Sequence, residues 1–148
     1  MDINDIYKWL ETAGQYTSES KVDLAINLIE EELEELKEAW SNGNRTEFLD
    51  AIIDLYWVVT NAAFFVGEPV QEVMSYANKV SVSNWSKFCL SEIEAIHTVQ
   101  AYKEGTHPDK LGQNIECYYE NNGQFWIVKR TDGKILKSIN YLHVNDIK

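Results

Sequence analysis

Residues 22–40 carry Val22, Ile26, Ile29, Leu33, Leu36 and Trp40 in unbroken 4-3-4-3-4 spacing. That is the apolar stripe of one long amphipathic helix, which must bury a face to be stable. The helix begins near Ser18-Glu19-Ser20 and stops at Asn42-Gly43-Asn44, a C-terminal breaker. With Thr46 as N-cap, a second long run then continues to Gly67. Its residues Phe48, Leu49, Ala51, Ile52, Ile53, Leu55, Tyr56, Val58 and Val59 are apolar around almost the whole circumference, so it is expected to be largely buried. Two long helices joined by so short a turn must form an antiparallel hairpin, and every other reading of the chain starts there.

The rest of the chain adds shorter elements. A first helix covers about Ile3 to Thr12, Pro69 opens a fourth, and Ser91 with Glu94 has capping-box spacing for a fifth ending near Lys103. Beyond it, residues 115–119 and 125–128 flank Glu120-Asn121-Asn122-Gly123, a strong hairpin signal. Thr131-Asp132-Gly133 turns the chain into an expected third strand, Lys134 to Ser138. The expected fold is mainly α: a helical bundle over about 1–104 with a small C-terminal antiparallel β-meander over about 114–140, in one domain.

Composition excludes several functions. An apolar content of 45% argues against disorder despite a net charge of −11. That charge argues against nucleic acid or an anionic membrane as a partner, since phosphate recognition needs a basic footprint. Cys89 and Cys117 are too few for a disulfide framework or a zinc site, which points to a reducing, cytoplasmic setting. No basic-then-apolar leader precedes the first helix. No apolar run is expected to span a bilayer, because the best, Ala51 to Val66, is interrupted by Asp54, Thr60 and Asn61.

Sorting the carboxylates by helical face isolates the candidate site. About 100° round the second helix from its main stripe lies another, Ala25, Leu28, Glu32, Glu35, Ala39. Two of its positions are carboxylates in otherwise apolar company. Glu30, Glu34 and Glu38 lie opposite, as a solvated face would, and Glu31 sits at the border. On the third helix one stripe breaks the apolar surface: Glu47, Asp50, Asp54, Trp57, Asn61. Buried carboxylates cost several kcal/mol each unless paired or metal-bound. Lys37 points away from Glu32 and Glu35, and Arg45 lies in the turn. The hairpin brings both stripes together, giving a hard, all-oxygen donor set without His or Cys, suited to Mg2+ or Mn2+. Elsewhere, Asn84 and Lys87 in Ser83-Asn84-Trp85-Ser86-Lys87 can share one helix face and offer an amide and an ammonium to a phosphate or ribose. Trp57 and Tyr16 are candidates to stack on a base, and Asn61 continues the Trp57 stripe as a further substrate contact. Glu94-x-x-His97 and Glu104-x-x-His107 have di-iron spacing, but the second precedes Pro108 in a loop, which weakens that reading.

These residues resemble a known family. Glu31, Glu32 and Glu35 in Leu28-Ile29-Glu30-Glu31-Glu32-Leu33-Glu34-Glu35-Leu36 form the Glu-Glu-x-x-Glu signature of all-α nucleoside triphosphate pyrophosphatases. The chain is similar to their MazG-like branch, particularly short bacteriophage versions. Residues 47–56, Gly67-Glu68-Pro69, residues 83–87 and, loosely, the tail 131–137 carry the likeness. The resemblance implies a Mg2+-dependent enzyme that cleaves a (deoxy)nucleoside triphosphate between the α and β phosphates and assembles as a homodimer or homotetramer. It further implies metal binding by Glu32, Glu35 and Asp54, activation of water by one of the glutamates, and nucleotide contacts from Asn84 and Lys87. A purine deoxynucleotide such as dGTP is the substrate that the phage-like likeness suggests. One position departs: the family's Glu-x-x-Asp ending at Asp54 would put Glu at 51, where this chain has Ala51. Either Asp50 takes that ligand role, or Glu47 and Asp50 form the pair. The rival reading is a non-enzymatic acidic helical protein that mimics nucleic-acid charge.

Overall fold

A computed structural model describes residues 2–16 and 21–148. Their order is α1 (Ile3–Thr12), α2 (Val22–Ser41), α3 (Arg45–Phe65), α4 (Val70–Trp85), α5 (Glu92–Glu104), β1 (Cys117–Asn121) and β2 (Trp126–Arg130), with one-turn 3-10 helices at Pro108–Lys110 and Val144–Asp146. The chain divides into two compact units, Met1–Ser75 and Tyr76–Lys148.

In the first unit α2 and α3 pack as the expected hairpin. Gly43, at φ +64°, takes the left-handed conformation that ends α2. Asn44, not Thr46, is the N-cap of α3, its Oδ1 accepting the Glu47 N–H at 3.3 Å. The expected start of α2 near residues 18–20 lies outside the described residues. Helix α1 covers one end of α3, so that Ile6, Leu10, Ala25, Phe64 and Phe65 form a core. Around it Tyr7 meets Tyr16 and Phe64 edge to face at 5.2 and 5.4 Å.

The stripe expected to be the buried seam of α2 is not buried. Ala25 and Ala39 of the second stripe are the buried residues of α2, while Val22, Ile26, Leu33 and Trp40 stay exposed. On α3 the buried residues are Ala51, Val58, Asn61, Phe64 and Phe65, and Leu49, Ile52, Ile53, Tyr56 and Val59 are exposed. Two helices cover only one face of each other, and α1 reaches only one end. The expectation that no run could span a bilayer also fails: α3 has 21 residues, and an 18-residue window of it has a mean hydropathy of 1.4, which is long and apolar enough by length and composition alone. Its polar interruptions are too few to offset so many Ile, Val and Phe residues.

In the second unit Ser91 caps α5, its Oγ accepting the Glu94 N–H at 3.2 Å. Glu94 returns to the Leu90 N–H at 2.9 Å. Strands β1 and β2 pair antiparallel in the register Cys117↔Arg130 to Asn121↔Trp126. The expected third strand is reduced to a single bridge, Lys129↔Ile135, and the opposite end of β2 is bridged by Cys89↔Trp126. The meander is therefore a hairpin. Cys89, Ala95, Tyr102, Cys117, Val128 and Leu136 form the core of this unit, with both thiols free.

His107, assigned to a loop by sequence, is 2% exposed. Its ring stacks flat on Tyr102 at 3.9 Å, and its Nδ1 caps the following 3-10 turn by accepting the Asp109 N–H at 3.1 Å. Burial holds its pKa below the ordinary 6.5. A depressed histidine stays neutral in the fold while the unfolded chain takes up a proton, so stability is complete above the ordinary value and falls as pH drops through it. The melting temperature of this unit should therefore decrease between pH 7 and pH 5. His107→Asn, which keeps a capping acceptor, should flatten that slope; equal slopes by calorimetry would remove His107 as the cause.

Candidate active site

The acids are partitioned between the two units. Residues 1–75 hold 16 of the 24 Asp and Glu against four Lys and Arg, whereas residues 76–148 hold eight against nine. The charge of the whole chain belongs to the hairpin unit, and within it to the α2–α3 pair.

Helix geometry and small side chains set up the site. Ala25, Ala39 and Ala51 are buried, and small residues on facing helices let the axes come close. Between the two alanines of α2 lies Glu32, half-buried. Burial first, and then the charges of Glu35, Asp54, Glu31 and Asp50, raise its carboxyl above the ordinary Glu value. These are carboxylates that the two stripes place on facing helices, and Glu32 stands among them. Beside them a cleft of about 300 Å³ is lined by Glu35, Glu38, Ala39, Glu47, Asp50 and Ala51. Glu35 also borders an outer groove of about 510 Å³ with Asn27, Glu30, Glu31 and Glu34. Lys37 turns outward to Glu34 at 2.6 Å, leaving the acids of the inner face without a lysine from α2.

The position of each remaining candidate follows from its element. Glu31, Glu35, Glu47, Asp50 and Asp54 are exposed. Ala51 is buried and lines the same cleft as Asp50 and Glu47. Trp57 is half-buried and meets Trp9 edge to face at 5.7 Å, so its ring is packed within the unit. Tyr16 packs against Tyr7 and Phe64. Asn61 is 4% exposed, and its buried Oδ1 has no hydrogen-bond partner. In the second unit Lys87 donates to Asn84 Oδ1 at 2.6 Å, placing the amide and ammonium side by side. Among the described residues no group of three or more His, Cys, Asp or Glu stands in metal-binding geometry. The donor set nevertheless fits a hard divalent cation: oxygen ligands only, and a half-buried glutamate whose ionised form is disfavoured by its like-charged neighbours.

A group whose folded pKa is raised contributes stability below its unfolded pKa and loses it as pH rises through the folded value. Neutralising Glu32 should then stabilise the unit near neutral pH when no cation is present. In chelator-treated buffer at pH 7, Glu32→Gln should melt about 1–3 °C above the wild type. Adding Mg2+ or Mn2+ should raise the wild type more than the variant. A variant that melts lower without metal, or gains equally from it, would contradict the crowding of charge at this position.

Residues 10–79, which contain both acidic stripes, match the phosphoribosyl-ATP pyrophosphohydrolase family. No curated protein and no solved structure matches the chain significantly. The matched family is a pyrophosphohydrolase acting on a nucleotide. Its segment coincides with the hairpin, the Glu-Glu-x-x-Glu signature and the acids of α3, and so residues 10–79 of this chain are similar to that family, which lies in the MazG-like superfamily of all-α nucleoside triphosphate pyrophosphatases.

Proposed function

We propose that the protein hydrolyses a (deoxy)nucleoside triphosphate to the monophosphate and pyrophosphate, with Mg2+ as cofactor, and so controls a nucleotide pool. The observation that carries this reading is the crowding of Glu32 by Glu35 and Glu31 of its own helix and by Asp54 and Asp50 of the facing one, within the hairpin that the family match covers. A charge mimic would need only exposed acids; it gives no reason to set a carboxylate between two buried alanines.

Glu32, Glu35, Asp50 and Asp54 are the residues that would hold the cation, with Glu31 and Glu47 at the margins. When bound, such a cation neutralises phosphate charge and makes a water molecule more acidic. The chain's own residues then do the rest. One of the glutamates would orient the attacking water and take its proton; Glu35 lines both the inner cleft and the outer groove, which supports it for that role. Asn84 and Lys87, paired with each other in the second unit, are an amide and an ammonium of the kind that contacts a phosphate or ribose. The acidity of the protein is no obstacle, because its carboxylates bind cations and the cations bind phosphates.

The exposed apolar faces of α2 and α3 support a homodimer or a homotetramer. Val22, Ile26 and Leu33 on one helix, with Ile52, Ile53, Tyr56 and Val59 on the other, form surfaces that water does not favour. A second copy covers them. Spanning a bilayer with α3 instead would place Asp50 and Asp54 in hydrocarbon at about 3 kcal/mol each.

Incubation with a panel of (d)NTPs and Mg2+ should yield monophosphate plus pyrophosphate, resolved by ion-exchange chromatography, with purine deoxynucleotides such as dGTP the first to test. Glu35→Gln should reduce turnover by about 100-fold or more with an unchanged circular-dichroism spectrum. Absence of turnover on every nucleotide would refute the assignment. In sedimentation the protein should run as a dimer or tetramer, and Ile53→Glu should shift it to a monomer; a monomeric wild type would refute the assembly.

A further inference from the structure

We propose that a cavity at the α2–α3 turn receives the nucleobase, with Trp40 as the ring on which it stacks. This rests on the nucleotide pyrophosphohydrolase reading above and names the part of the site that holds the base. The cavity measures about 480 Å³ and is lined by Trp40, Gly43, Asn44, Arg45, Phe48 and Leu49, a size ordinary for a small-molecule pocket. Its wall is mostly apolar, with one guanidinium and one amide. Trp40 is 73% exposed. Its ring contact is with Phe48, at 5.4 Å and 49°, which leaves the indole free for a partner. Arg45 has no ion pair among the described residues, so its planar cation is available to a base edge or a phosphate.

Continuity with the acidic cleft points to a nucleotide. Ala39 lines both the aromatic cavity and the cleft of Glu35, Glu47 and Asp50. Along α2, Glu35 and Trp40 are five residues apart, roughly 7–8 Å of helix rise and about 140° of rotation, so the two spaces adjoin through Ala39 and not along one face. Trp57, the aromatic residue in the acidic stripe itself, is half-buried against Trp9, whereas Trp40 keeps most of its ring exposed beside Phe48. The rival occupant is a second copy of the chain, because the exposed stripe of Val22, Ile26 and Leu33 leads towards Trp40. An unpaired guanidinium and an amide in the wall fit that occupant less well than a ligand with polar edges.

The test uses free nucleosides as base-only probes and Mg2+-tripolyphosphate as a base-free probe, titrated calorimetrically into wild type, Trp40→Ala and Trp40→Phe. Trp40→Ala should weaken nucleoside binding about 10-fold or more and raise KM for the triphosphate in proportion. It should leave kcat, tripolyphosphate binding and the sedimentation coefficient unchanged, and Trp40→Phe should recover most of the affinity. Equal loss of nucleoside and tripolyphosphate affinity, or dissociation of the assembly by Trp40→Ala, would overturn the subsite in favour of a general or interfacial role. Failure of every nucleoside to bind the wild type would also overturn it, and turnover of triphosphates would still stand. Nucleoside binding that depends on Trp40, in a protein that turns over no triphosphate, would uphold the subsite and refute the hydrolase reading.

Discussion

The crowding of like charges at the α2–α3 interface is the constraint on which the hairpin unit depends. Glu32 lies between buried Ala25 and Ala39, and its charged form is disfavoured by burial and by four neighbouring carboxylates. A chain selected only for stability would replace it with an apolar residue, since an ion buried without a partner costs several kcal/mol. Under the proposed function, Glu32 is a place where stability is given up for binding, and the small alanines around it let the helices approach closely.

Charge and aromatic content divide the labour between the units. The hairpin unit carries the whole negative balance, and the cation of the proposed function would be held there. The second unit is nearly neutral and satisfies its charges locally: Lys129 with Glu120, Arg130 with Asp132, and Lys137 with Asp109. Burial alone would raise the Asp109 carboxyl, but the Lys137 hydrogen bond and charge outweigh it and hold the group below its ordinary value. Its core of Tyr102, Val128, Leu136 and two free thiols is built from α5 and the hairpin, elements beyond the family match at 10–79.

The exposed apolar faces follow from the same packing. Because the stripe with carboxylates faces α3, the stronger apolar stripe of α2 is turned outward. A hairpin with carboxylates on its inner face has less apolar surface to bury there, and in the proposed assembly an identical copy would cover the stripe left outside.

Much of this was determined by the sequence alone. Periodicity located all five helices, and Asn121-Asn122-Gly123 located the β-turn. The interruption of apolar stripes set Glu32, Glu35, Asp50 and Asp54 apart from Glu30, Glu34 and Glu38 as candidates, but of these only Glu32 is half-buried, and Glu35, Asp50 and Asp54 are exposed like the outer glutamates. The helices, the turn and the stripes are local properties, set by helical geometry and turn chemistry. Tertiary structure decided which of two stripes on α2 faces α3, because a single helix with apolar residues on two sides does not specify its partner. It reduced the expected third strand to the Lys129↔Ile135 bridge, since strand residues pair only where a neighbour presents its ladder. It also buried His107 against Tyr102 and set Trp40 and Arg45 round one cavity with the acids behind it. Those outcomes depend on contacts between residues distant in the chain, and no single-helix pattern encodes them.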